Sequence, residues 1–178
     1  YNDSSNWVFN VLYLDCYLLK ANTQISGHYP INNNTTVIAA AAFNGCNGLT
    51  SITIPFVGAT KDGTQNTHFG YIFGASSYSY NADYVPEGLK EVIIEGGTSI
   101  GDYAFYNCSG LTNVTIPDSV TNIGHKAFNG CSRLTSLTIP DSVTSIGYFV
   151  FGGCSRLTSI TISASVTSIG SYCLLYTS

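Results

Sequence analysis

Apolar and polar side chains alternate through residues 136–139, with Leu137 and Ile139 on one face and Ser136 and Thr138 on the other. Alternation over a short run rich in β-branched residues predicts a half-buried strand. Pro140 ends it, because proline has no N–H to give a ladder and its φ is fixed. The following Pro-Asp-Ser is turn chemistry, with Asp141 able to bond its own backbone. Val143 and Ile146 begin a second short apolar patch that stops at Gly147, and Phe151 and Cys154 close the unit before Leu157 opens the next. The pattern recurs with a step of 23: Leu111, Leu134 and Leu157; Cys108, Cys131 and Cys154; Phe105, Phe128 and Phe151; Gly101, Gly124, Gly147 and Gly170. A fixed period of this size predicts a β-rich repeat solenoid, each unit forming one coil.

One coil cannot stand alone. Its six inward side chains are Leu134, Leu137, Ile139, Val143, Ile146 and Phe151. Each contributes roughly 1.5–3 kcal/mol on burial, against roughly 1–2 kcal/mol of backbone entropy for every residue ordered. Neighbours above and below must share the burial, which is why the unit repeats. The glycine that recurs at 101, 124, 147 and 170 marks a backbone position needing either positive φ or close approach of another chain segment.

Upstream the repeat is less regular. Phe43-Asn44-Gly45-Cys46 and Leu49 repeat the closing motif, and Ile52-Thr53-Ile54-Pro55 supplies a strand. Residues 14–48 read as a degenerate N-terminal rung, with the first dozen residues (Trp7 and Phe9 among them) as the tail of a preceding coil or loop. From Leu49 to Leu89 the step is 40 rather than 23. Residues 49–88 therefore read as one rung with two insertions, at about 56–68 and 75–88, in which Phe69 and Phe73 keep the repeat register and pack inward. Residues 89–172 are regular repeats. The whole is a single domain of about five to six coils and is expected to be a fragment of a longer chain. The closing hexapeptide 173–178 matches a reading frame of a transposon-derived sequencing adapter and is expected to be an assembly artefact.

The run Leu-Thr-x-x-Thr-Ile-Pro-Asp-Ser-Val-Thr-x-Ile-Gly-x-x-x-Phe-x-x-Cys at 111–131 and 134–154 resembles the BspA-like leucine-rich repeats. The resemblance is specific over 89–170 and recognisable from about residue 15. It implies a right-handed, curved coil with short strands on the concave face. It also implies a surface or secreted protein, the family being known from gut and oral bacteria and some protozoa, with adhesion as the usual suggestion for its role.

Only 9% of residues are charged and the net charge is −4, so no basic patch is available for phosphates and nucleic-acid binding is not expected. No apolar run is long enough to insert in a membrane. The cysteines recur singly rather than in close pairs, which does not fit a metal site; stacked thiols could approach disulfide distance, but buried reduced cysteines acting as small hydrophobes fit better. The three histidines, His28, His68 and His125, are scattered. No nucleophile elbow or phosphate loop accompanies them, and His125 and Lys126 read as solvated surface. No enzyme activity and no cofactor is expected.

Two surfaces remain as ligand-binding candidates. Thr112, Asn113, Thr115, Thr135, Ser136 and Thr138 would stack into hydroxyl ladders on the strand face, continued by Lys90, Glu91 and Ile93, suited to a glycan or extended peptide; threonine is also simply a good β-surface residue. The insertion carries Tyr78, Tyr80 and Tyr84 among Ser, Gly and Asn, a composition found in binding loops; packing of these rings against the coil is an equal reading. The expectation is an extracellular or cell-surface recognition module for a host or neighbouring-cell protein or glycoprotein. The alternatives are a structural spacer, or carbohydrate binding on the concave face.

Overall fold

The computed structural model of the 178-residue chain describes residues 7–8 and 10–174. It is a solenoid whose regular elements, joined by turns, are mostly short strands. In chain order these are β1 (Trp7–Val8), β2 (Val11–Leu14), β3 (Tyr17–Ala21), β4 (Ser26–Pro30), β5 (Val37–Ile38), β6 (Gly48–Ile54), β7 (Glu91–Ile94), β8 (Ser99–Ile100), β9 (Asn113–Thr115), β10 (Asn122–Ile123), β11 (Ser136–Thr138), β12 (Ser145–Ile146), β13 (Ser159–Thr161) and β14 (Ser168–Ile169). Six of them, β4, β6, β7, β9, β11 and β13, stack as parallel rungs of one strand face. A second parallel ladder, β8-β10-β12-β14, runs along another side of the coil. Phe69, Gly70, Tyr71, Ile72 and Phe73 form a 3-10 helix, and Tyr78–Tyr80 another, leading into a single helical turn, α1 (Asn81–Tyr84).

Adjacent coils bond on three sides. Besides the two ladders, Tyr103, Phe105, Lys126 and Phe128 donate their N–H groups to the carbonyls of His125, Ala127, Tyr148 and Val150 in the next coil. The six inward positions of the 134–156 unit are all buried. Phe105, Phe128 and Phe151 stack down the middle at 5.2 and 5.9 Å with nearly parallel rings, and Phe69 continues the column at 5.0 Å from Phe105. Phe69 and Phe73 are both buried, as their register predicts.

The recurring glycines are there for close approach, not for positive φ. A Cβ on Gly124 would lie 2.6 Å from the Asp102 nitrogen, and one on Gly147 2.6 Å from that of His125. Their N–H groups bond Ile100 and Ile123 of the preceding coil. The left-handed residue comes two positions later and is not glycine: Tyr103, Lys126, Phe149 and Tyr172 have φ between 53° and 59°.

Two segments depart from the regular coil. β1 is antiparallel to β2 and β2 to β3 before β3 pairs in parallel with β5, so the strands from Trp7 to Ala21 form an antiparallel meander leading into the coil rather than the tail of one; the expectation for Phe9 falls outside the described residues, as does that for 175–178. The insertion after β6 interrupts the second ladder. Val37 meets Thr60 in an antiparallel bridge, and Ile38 donates to the Ala59 carbonyl. Asp62 then accepts from both the N–H and the hydroxyl of Thr98, at 2.7 and 2.8 Å, fastening the loop to the next coil. Those two bonds hold the Asp62 carboxyl below its usual range.

Candidate functional site

Two buried side chains, Asn81 and His68, anchor the inserted segment 75–88. Asn81, fully buried, accepts from the Gly70 N–H at 3.0 Å and donates to the carbonyls of Ala104 and Tyr106 at 3.3 and 3.1 Å. It joins the 3-10 helix to the following coil where the extra residues would otherwise leave backbone groups unpaired. His68, also buried, bonds the Ala75 carbonyl at 3.0 Å through Nε2, which must carry the proton because a carbonyl only accepts. Neither residue stands out in the sequence, since neither belongs to the repeat.

Anchored this way, the Tyr78 ring stacks on Tyr103 at 4.1 Å and meets Tyr106 edge-on at 5.6 Å. Tyr103 begins a column along the edge of the solenoid. Lys126 lies between Tyr103 and Phe149, its Nζ 5.6 and 5.8 Å from the two ring centres, and Phe149 stacks on Tyr172 at 4.9 Å. Beside it His125 and Tyr148 stack at 3.7 Å, and the Tyr148 N–H donates to His125 Nδ1, so the neutral ring carries its proton on Nε2. His125 and Lys126, read from the sequence as solvated surface, are half-buried members of an aromatic edge. The left-handed backbone at 103, 126, 149 and 172 recurs at the root of each column side chain.

The three candidate tyrosines separate. Tyr78 joins the column, Tyr84 lies over Gly74 with its ring 3.3 Å from where a Cβ would be, and Tyr80 remains exposed at 48%. A hollow of about 270 Å³ opens between α1 and the turns of the next two coils, with Arg133 and Glu87 paired at 3.7 Å on its rim.

On the strand face the candidate hydroxyls fall into two groups. Thr112 and Thr135 precede the strands, and their hydroxyls donate to the carbonyls of Lys90 and Thr112 in the preceding coil; Thr158 does the same to Thr135. Those donors are spent on the backbone. Asn113, Thr115, Ser136 and Thr138 instead point outward around a shallow depression of about 290 Å³, at the gap between β9 and β11.

The register places a further group beside them. His28, Ser51, Glu91 and Asn113 are partners on successive rungs. Ser51 Oγ donates to Glu91 Oε2 at 3.1 Å and Asn113 Nδ2 to Oε1 at 2.9 Å, while His28 Nδ1 is 2.9 Å from Ser51 Oγ. With the serine proton committed to the carboxylate, Nδ1 carries the imidazole proton and donates. This is the wrong order for nucleophilic catalysis, which needs the histidine between serine and carboxylate. The arrangement presents hydrogen-bonding groups rather than a reactive one. Sequence spacing could not join His28 to Glu91, because the insertion between their coils breaks the period.

Five of the cysteines lie inside, and Cys16 is half-buried. All six are free, and Cys46, Cys108, Cys131 and Cys154 are buried. Cys131 and Cys154 donate to the carbonyls of Phe105 and Phe128 in the preceding coil, at 3.1 and 3.2 Å. Burial raises their pKa values, that of Cys154 up to about 12.

The sequence profile described as BspA type leucine rich repeat region matches six copies, over residues 17–62 and 84–178. A leucine-rich repeat protein from Bacteroides ovatus ATCC 8483 is similar in structure, with TM-score 0.60 and 29% identity over 88% of this chain and 38% of its own. One from Eubacterium ventriosum ATCC 27560 has TM-score 0.56 at 21% identity, covering 93% of this chain and 47% of its own, which speaks for the fold alone. A leucine rich cell surface protein from Faecalibacterium prausnitzii A2-165 is 33% identical over 77% of this chain and 38% of its own, with TM-score 0.49. The chain thus spans less than half the length of each of these proteins. No curated protein matches it. By its repeats and by the coil they form, the chain belongs to the BspA-type leucine-rich repeat family.

Proposed function

We propose that this chain is a recognition module at the cell surface or outside the cell, binding a protein or glycoprotein of a host or neighbouring cell. The family supplies a protein-interaction scaffold; the observation that carries the reading is the aromatic edge. A plain spacer needs no such edge, yet an insertion outside the repeat places Tyr78 on the Tyr103–Lys126–Phe149–Tyr172 column and leaves Tyr80 and Tyr84 about half exposed. Tyrosine rings give large contact area at small entropic cost, and a row of them is the composition of binding hot spots. No reaction is assigned to the chain.

The full chain should bind saturably to at least one immobilised matrix or mucin glycoprotein. The variant in which Tyr78, Tyr80 and Tyr84 are all serine should lose at least tenfold in affinity with an unchanged far-ultraviolet circular dichroism spectrum. Equal binding by the two proteins would remove the aromatic edge from the account. No binding by the folded intact chain would favour the spacer.

A further inference from the structure

The strand face carries a second surface that the aromatic edge does not use. The side chains on this face form two columns across the rungs, in which Ser51 and Thr53 are buried. One runs His28, Ser51, Glu91, Asn113, Ser136 and Ser159; the other runs Pro30, Thr53, Ile93, Thr115, Thr138 and Thr161. The first is polar, and its centre is Glu91, each of whose oxygens receives one hydrogen bond, from Ser51 and from Asn113. A carboxylate oxygen has a second lone-pair site, so the pair of oxygens is fixed in direction and still able to accept. The Asn113 amide beside it adds an acceptor oxygen. In the second column Ile93 stands two residues from Glu91 on the same face, half-buried, an apolar patch next to a clasp of acceptors.

From this geometry we infer that the strand face binds an extended, neutral glycan lying along the solenoid axis, with Glu91 and Asn113 as its anchor. Three features select that ligand. Rungs repeat at about 4.8 Å, close to the length one pyranose residue takes in an extended chain, so successive sugars meet successive rungs. A sugar is amphipathic in the same sense as the surface: vicinal hydroxyls suit the Glu91 oxygens and the Asn113 amide, and its C–H face suits Ile93, Pro30 and the threonine methyls. Shallow hollows lie on either side of the anchor, one of about 350 Å³ lined by Tyr13, Tyr29, Pro30 and Glu95, the other the 290 Å³ depression from Asn113 to Thr138. Charge sets the last condition. Glu91 and Glu95 face the track on a chain of net charge −4, so sialylated, sulfated or uronate-rich chains are repelled.

This surface is separate from the aromatic edge, and the test keeps them apart. Native affinity electrophoresis of the full chain through gels holding mixed-linkage β-glucan, xylan or mannan should show retardation by at least one of them. Polygalacturonate and heparin should give none. Glu91→Ala should weaken the retardation at least tenfold. So should Ser136→Lys, which blocks the track while leaving the Ser51–Glu91–Asn113 bonds in place and so guards against a folding artefact of the first. Tyr78→Ser should bind as the parent does. Absence of retardation by every neutral polysaccharide would overturn the proposal, as would retardation that both strand-face variants retain or retardation by the polyanions. Binding to enzymatically deglycosylated protein ligands, lost with Tyr78→Ser, would belong to the aromatic edge and not to this track.

Discussion

At the scale of single residues the coil depends on what a side chain would collide with or leave uncharged. Gly124 has no room for a methyl group: its Cβ would sit 2.6 Å from the Asp102 nitrogen and 2.7 Å from the Gly101 carbonyl carbon, backbone atoms that cannot swing aside. Gly124→Ala should therefore destabilise by about 1–3 kcal/mol, the usual range for overpacking, read as a lower denaturant midpoint. The buried thiols make a pH prediction. Cys154 is neutral in the fold with its pKa raised from 9.0 to about 12, while the unfolded thiol ionises near 9. A raised pKa contributes stability that is complete below pH 9 and is lost as pH climbs toward the folded value. Denaturation midpoints should be flat from pH 7 to about 8.5 and then fall, at roughly 1.4 kcal/mol per pH unit for each such thiol. Replacing Cys154 with Ala should flatten the alkaline slope.

At the scale of elements, the stacked strands and the inserted segment obey different rules. A regular strand is held by its neighbours on both sides, whereas 75–88 is held chiefly by the buried side chains of Asn81 and His68. Asn81→Ala leaves the Gly70 N–H and the Tyr106 carbonyl without these partners, and should destabilise by roughly 2–4 kcal/mol. It should also release Tyr78 from Tyr103, visible as a loss of near-ultraviolet dichroism, whereas Asn129→Ala, at a half-buried position of a regular coil, should spare that signal. The contrast explains what could be read in advance. The strand at 136–138, the turn after Pro140 and the inward set from Leu134 to Phe151 follow from local alternation and period, and the structure has all of them. Asn81 could not be found, because its role is defined only by which coil its loop comes to rest on.

At the scale of the whole molecule, each coil touches chiefly the coils before and after it, so stability is close to a sum of like terms with interfaces between them. Removing one full period, residues 134–156, joins Arg133 to Leu157 and restores every ladder in register. That protein should fold, with a strand-type dichroism spectrum and a lower midpoint. Removing 134–150 instead breaks the register and should leave the coils after the deletion unfolded, open to proteolysis. The same additivity places function on the outside: the interior is one repeated solution, and what differs from coil to coil is carried by the edges, the insertions and the outward strand positions.

The period of 23, the inward apolar set and the fold class were determined by the sequence alone, because a repeating amphipathic pattern has few ways to bury itself and stacking is the one that serves every unit equally. The two candidate surfaces were decided by tertiary structure. Tyr78 and Tyr103, or His28 and Glu91, are far apart in sequence and separated by insertions of no fixed length, so no spacing links them. Lys126 looked like solvated surface until neighbouring coils set Tyr103 and Phe149 on either side of it. Periodicity says which way a side chain points; only the closed coil says what it points at.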